Sequence, residues 1–266
     1  IPRGVLLLGI PGCGKSLTSN AIENELKFPL LRFDLGMVFG GIVGESERNI
    51  RYALDVAKTI SPCVLWIDEI EKGLSGSQSS GRTDGGTSAR VFGTFLTWMQ
   101  EKTEPVFVVA TANDISSLPP ELLRKGRFDE IFFVDLPSAK ERENIFQIHL
   151  KNKHRDAKAL GLSMAELVKK TEGFSGAEIE EVVNEALFNA YANGQKDLEM
   201  QNLLDCISAT SPLSRTMAET IANLRKWAEQ RARMASKDKP DEVKPLGEEV
   251  PRLQQEYSNP FIQKKK

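Results

Sequence analysis

Cysteine, histidine and aromatic residues are scarce in this chain, and neither charge is in surplus; each scarcity removes a class of protein. The three cysteines among 266 residues, Cys13, Cys63 and Cys206, are too few and too scattered for a disulfide scaffold or a cysteine zinc site, and they fit a reducing compartment. Lys plus Arg number 35 against 37 for Asp plus Glu, so a net charge of -2 supplies no general pull toward nucleic acid or anionic lipid. No apolar run reaches the roughly 20 residues of a membrane-spanning helix, and no signal peptide is visible. The zinc-protease pattern H-E-x-x-H is absent, and the only histidines, His149 and His154, stand five apart, the wrong spacing to share a helical face. An initiator Met is lacking too. With Ile1 just ahead of the first apolar run, the chain reads as a trimmed or processed product.

What is present is enough apolar residue, 40%, for a substantial core in one or two domains. Short runs rich in Val, Ile, Leu and Phe alternate with longer stretches of helical period, which is the pattern of βαβ units and a parallel sheet. Strands are expected over 5–8, 30–34, 63–68, 106–111 and 130–134. After "DLPS" the strands stop, and 139–210 reads as helices only, each opened by Ser or by an acidic first turn. A boundary near Pro137 follows: an α/β domain over 1–137, a small helical domain over 138–212, and a C-terminal helix and loosely ordered tail over 213–266. The helix, expected over 216–236 with Met217, Ile221, Leu224 and Ala228 on one face, is expected to pack against the helical domain. The Gly- and Ser-rich stretch 75–88 reads either as a mobile loop or as a passive linker.

The segment "GIPGCGKS", residues 9–16, follows the first strand directly. A polyphosphate needs many donors within a small radius. A glycine-rich turn aims successive backbone N–H groups inward with no Cβ in the way, at a helix N-terminus whose dipole favours anions. Gly9, Gly12 and Gly14 supply that turn, Lys15 a charge for the β- and γ-phosphates, and Ser16 a hydroxyl for Mg²⁺. The match to G-x-x-x-x-G-K-[ST] is complete, between a strand and a helical pattern. Hydrolysis also needs a metal-side carboxylate and a group that positions water. "CVLWIDE" offers both at a strand end: Asp68 for the Mg²⁺ shell and Glu69 for the attacking water.

In this order and at these separations, "GIPGCGKS", "VLWIDEI", "VVATAND" and "ELLRKGRFDEIFFVDLP" resemble the Walker A, Walker B, sensor 1 and arginine-finger segments of AAA+ ATPases. The resemblance runs from about residue 5 to residue 210. It is nearest the branch of membrane-anchored proteases, meiotic-clade remodellers and segregase-type unfoldases, and closer still to an AAA+ protein of algal plastid genomes and cyanobacteria. It implies a five-stranded parallel sheet flanked by helices with a helical lid, ATP and Mg²⁺ as ligands, and Pro11, Gly12, Cys13, Gly14, Lys15, Ser16 and Leu17 around the nucleotide. It further implies Asn113 as sensor 1, otherwise a turn asparagine, and Arg124 and Arg127 as fingers reaching the neighbouring subunit's site, otherwise surface charges. In "GFSGAEI", Gly176 and Ala177 pass the nucleotide by backbone contact, and His149 lies beside the adenine or ribose unless it is simply structural. The implied assembly is a homo-oligomeric ring, a hexamer, acting on a protein substrate in the cytoplasm, or in the plastid stroma if plastid-encoded.

Cys13 at a helix N-terminus reads two ways: as a thiol with lowered pKa, or as a small residue tolerated in a variable motif position. The first pore loop departs from the family pattern, with Gly41, Ile42 and Val43 where many unfoldases carry a basic residue followed by an aromatic one. An aliphatic residue grips an extended chain with less area than an aromatic one. Three functions remain in order: a remodelling ATPase, a nucleotide-gated scaffold, and a nucleic-acid motor, the last disfavoured because no basic stripe with interleaved aromatics occurs.

Overall fold

The computed structural model describes residues 2–34, 45–72, 85–124 and 126–240, with backbone alone at 19, 20, 23, 26 and 85–89. Six strands form one sheet: β1 Gly4–Gly9, β2 Leu30–Phe33, β3 Cys63–Ile67, β4 Val106–Ala112, β5 Glu130–Val134 and β6 Arg233–Met234. Their order is β2-β3-β4-β1-β5-β6, and every neighbouring pair is parallel. Parallel strands covered on both faces read as continuous apolar runs, as "CVLWI" and "VFVVATA" do. Period-two alternation sends Leu6 and Leu8 to one face, with Leu65, Ile67, Val108 and Phe133, and Leu7 to the other, with Val64, Trp66 and Val109.

Helix α1 (Leu17–Leu26) covers the Leu7 face through Ile22. Helices α2 (Glu45–Ile60) and α3 (Gly85–Glu101) cover the other with Ile50, Leu54, Phe95 and Met99. Then come α4 (Ala139–Asn152), α5 (Met164–Lys170), α6 (Gly176–Ala192) and α7 (Met200–Ala209), which enclose a separate core around Phe146, Leu167, Val183 and Leu203. Ser138 and Ser175 open α4 and α6 with capping boxes completed by Glu141 and Glu178, so these lid helices start where the sequence signals place them.

Two expectations need correction. The sheet has six strands, not five: after α8 (Leu213–Thr216) and α9 (Ala218–Arg231) the chain adds β6 to the β5 edge, pairing Phe132 with Arg233 and Phe133 with Met234. Two residues carry no alternation by which such a strand can be read. Helix α9 also packs elsewhere than expected. Leu224 and Ala228 join the α/β core, and Ile221 joins Ile10 and Leu136. Amphipathicity identifies a buried face but does not say against what it is buried. The Arg225 guanidinium fixes the docking with Nε 2.9 and Nη2 2.9 Å from the two oxygens of the Asp135 carboxylate, a side chain only 6% exposed. Residues 85–88 of the Gly- and Ser-rich stretch open α3; its remainder, the pore-loop positions 41–43 and the tail beyond 240 lie outside the described residues.

Candidate nucleotide-binding site

The P-loop leaves the end of β1, which lies inside the sheet between β4 and β5, so it emerges where the carboxyl ends of several parallel strands meet. The loop needs glycine at two points: Gly12 has φ +73° and Gly14 φ +86°, in the left-handed region. At Gly12 a Cβ would also stand 2.9 Å from the Ala177 Cβ, so the loop and the first turn of α6 approach too closely for any side chain there. The Ala177 N–H donates to the Gly12 carbonyl (2.9 Å), which commits that amide to the loop rather than to a ligand.

Lys15 is only 6% exposed, and its ammonium donates to the carbonyls of Gly9 (2.9 Å) and Ile10 (2.7 Å). Burial pulls its pKa down, with the nearby acidic side chains pulling it back up; an anion arriving at the loop would relieve that burial cost. Ser16 Oγ donates to Asp68, 3.2 Å from both carboxylate oxygens. A hydroxyl and a carboxylate side by side are hard oxygen donors of the kind Mg²⁺ takes when it shares its shell with phosphates. Among the described residues no group of three or more His, Cys, Asp or Glu side chains is placed to hold a metal.

Glu69 stands beside this pair in an unusual conformation for a non-glycine residue, φ +48°. Its N–H donates to Thr111 Oγ1 (2.8 Å), its Oε1 accepts from Asn113 Nδ2 (3.0 Å), and its other oxygen pairs with Lys72. The backbone of Asn113 is held in turn: its N–H donates to Glu71 Oε1 at 2.8 Å. Glu71 is 8% exposed, and its Oε2 has no hydrogen-bond partner among the described residues; burial pushes its carboxyl above the usual range.

A cavity of about 670 Å³ joins these groups to the lid. Pro11 to Leu17, Glu69 and Asn113 line it, and so do His149, Gly176 and Ala177. His149 Nδ1 lies 3.8 Å from Glu180 on α6. Leu17 is exposed, at 68%. Arg124 and Arg127 do not line this cavity. Arg124 is exposed along a different groove, and Arg127 donates to the Gln100 side chain and to the Leu96 carbonyl on α3. Of the two readings of Cys13, the reactive thiol fails: burial against Ile10 and Leu136 outweighs the attraction of Lys15 and pushes its pKa up to about 12.

Thr111 and Glu71 escape the sequence reading. Thr111 is fully buried, donates to Asp68 Oδ1 at 2.5 Å and accepts from Glu69 N–H, so one hydroxyl orients both carboxylate residues. The available signal was a lone hydroxyl in the otherwise apolar strand "VFVVATA". Glu71 carried no signal beyond one more acidic residue after "IDE".

A P-loop at a strand end, a carboxylate beside its serine and a helical lid hydrogen-bonded to the loop define a P-loop nucleotide-binding module with a lid. The profile of the ATPase family associated with various cellular activities (AAA) matches residues 5–136, and that of the AAA+ lid domain matches 161–205; the chain belongs to the AAA ATPase family. It is 52% identical over 228 residues to the uncharacterised AAA domain-containing protein ycf46 of Guillardia theta, covering 86% of this chain and 44% of that protein. With ycf46 of Pyropia yezoensis it is 51% identical over 236 residues (88% and 47%). With the ATP-dependent zinc metalloprotease FtsH of Mycoplasma pneumoniae it is 34% identical over 211 residues (77% and 29%). The chain thus spans under half the length of these relatives. The crystal structure of the FIGL-1 AAA domain shares the fold, with a TM-score of 0.70 at 20% identity, over 87% of this chain and 78% of that one.

Proposed function

We propose that this chain is a Mg²⁺-dependent ATPase that works in a homo-oligomeric ring, a hexamer, and remodels a protein partner. The observation that supports hydrolysis is the contact of Ser16 with Asp68 beside the contact of Glu69 with Asn113, with Ser16, Glu69 and Asn113 lining one cavity. Lys15 and the loop amides bind the phosphates. Ser16 and Asp68 would hold Mg²⁺, which would supply neutralisation of the charge that develops on the phosphates. Glu69, held in place by Thr111 and Asn113, orients water and accepts its proton. Arg124 and Arg127, outside their own chain's cavity, complete the site of the next subunit in the ring. FtsH and the plastid-type relatives make a protein substrate and a stromal or cytoplasmic setting the favoured reading. Nucleic acid is not the expected partner. Among the described residues no helix is long and apolar enough to cross a membrane.

The decisive experiment compares ATP binding and hydrolysis in wild type, Lys15→Ala and Glu69→Gln. Lys15→Ala should lose ATP binding with the fold intact, whereas Glu69→Gln should bind ATP and fail to turn it over. Wild-type affinity in Lys15→Ala would refute the phosphate site. The second reading, a nucleotide-gated scaffold without threading, is favoured by Ile42 at the usual aromatic position; a Glu69→Gln trap that captures a folded partner rather than an extended one would select it.

A further inference from the structure

The sheet order separates the two ends of the cavity. Strands β3 and β4, which carry Asp68, Glu69 and Asn113, lie on one side of the P-loop strand β1, while β5 and β6 lie on the other. Phosphate chemistry therefore occupies the β3 and β4 side, and whatever is attached to the phosphates extends toward β5 and β6. That far end is walled by lid residues Asn144, Ile145 and His149 and, opposite, by the segment that follows α9: Met234, Ala235 and Ser236 with Asp238 and Pro240.

This segment is built into the fold at both margins of the cavity. On the sheet side Arg233 pairs with Glu130 (2.9 Å), and the Ala235 N–H donates to the Phe133 carbonyl (2.8 Å). On the lid side Ser236 Oγ donates to Glu141 Oε1 (2.7 Å), while the other Glu141 oxygen accepts from the Ser138 N–H at the cap of α4. The same Ser236 hydroxyl accepts from the Asp238 N–H at 3.2 Å, which turns the chain along the cavity wall. Between these anchors Met234 is 46% exposed, a large apolar side chain left uncovered at the cavity margin. A flexible, polarisable thioether of that kind suits the face of an aromatic ring.

We propose that this C-terminal strap, residues 233–238, is the nucleoside-binding wall of the site, with Met234 packing on the base and Ser236 fixing the strap to the lid. The proposal rests on the nucleotide reading of the same cavity and adds to it a binding element more than 200 residues from the P-loop in sequence. The strap is anchored to Glu130, Phe133 and Glu141, at the β5 and lid side of the cavity, so its effect should depend on the nucleoside. A ligand with only the phosphates should not sense it.

Calorimetric titration of ATP and of inorganic tripolyphosphate, each with Mg²⁺, tests this in wild type, Met234→Ala, Ser236→Ala, their double variant and Ser236→Thr. The double variant should bind ATP about tenfold more weakly, the equivalent of one apolar contact and one hydrogen bond lost. Its tripolyphosphate affinity should stay within about twofold of wild type, which also shows that the loop is folded. Ser236→Thr, which keeps the hydroxyl, should bind ATP like wild type. Unchanged ATP affinity in the double variant would overturn the proposal, and so would an equal loss for both ligands. A wild-type protein that binds neither ligand would overturn the nucleotide reading itself, and the strap's role with it.

Discussion

Thr111 shows how much one side chain contributes at the residue scale. Its hydroxyl satisfies a carboxylate oxygen of Asp68 and the N–H of Glu69, and nothing else in its strand can do either. Thr111→Val keeps the shape and removes both bonds; Asp68 keeps its contact with Ser16, but the Glu69 N–H loses its acceptor, at a cost of about 1–3 kcal/mol. Turnover should fall by about 10²-fold, because the carboxylates lose their orientation rather than their charge; Thr111→Ser should restore it. Urea unfolding and steady-state hydrolysis read the two effects, and wild-type turnover in Thr111→Val would count against the positioning role. Glu71 makes a pH-dependent prediction. Burial raises its folded-state pKa, so the folded chain takes up the proton before the unfolded chain does. The resulting stability is complete below the unfolded pKa and is lost as pH rises through the folded one. Glu71→Gln cannot ionise and its amide oxygen can still accept from Asn113. Between pH 5 and pH 8 its urea midpoint should therefore drop less than that of wild type, and an equal drop in both would show that Glu71 is not the group responsible.

Among the elements, α9 matters most to the site's surroundings. Its apolar face joins the α/β core through Leu224 and Ala228 and meets Ile10 and Leu136 through Ile221, and Arg225 clamps Asp135, which itself lines the cavity. Arg225→Ala would strand a nearly buried carboxylate without its cation and should cost about 3 kcal/mol in urea unfolding. Lys226→Ala, at an exposed position one residue away, should be close to neutral. If the two variants unfold alike, the ion pair is not what docks the helix.

At the scale of the assembled molecule, Arg124 and Arg127, proposed as fingers, lie outside the cavity of their own chain, and this decides how the proposed ring is tested. Arg127→Ala should bind ATP and hydrolyse it about 10³-fold or more slowly, and Glu69→Gln should fail similarly for want of a water-positioning carboxylate. Mixed in one ring, an Arg127→Ala subunit contributes an intact Glu69, to which a Glu69→Gln neighbour can lend an intact finger. Mixed oligomers verified by mass should therefore be more active than either variant alone. No recovery at any mixing ratio would mean that each site is completed within one chain.

The sequence by itself determined the parts whose physics is local. Short apolar runs fix buried parallel strands, Ser-x-x-Glu pairs fix the starts of α4 and α6, and the spacing of Gly12, Gly14, Lys15 and Ser16 fixes a phosphate loop, because each depends on neighbours within a few residues. Strand ends then made Asp68 and Glu69 legible as well. Tertiary structure decided what depends on distant partners. The docking of α9 on the α/β core, the two-residue strand β6 and the strap beyond it owe nothing to local pattern, since a two-residue strand has no period and an amphipathic helix does not name its partner. The fate of Cys13 was also decided there. Its place at a helix N-terminus argues for a lowered pKa, but packing against Ile10 and Leu136 half-buries the thiol, and the desolvation of a thiolate outweighs the attraction of Lys15.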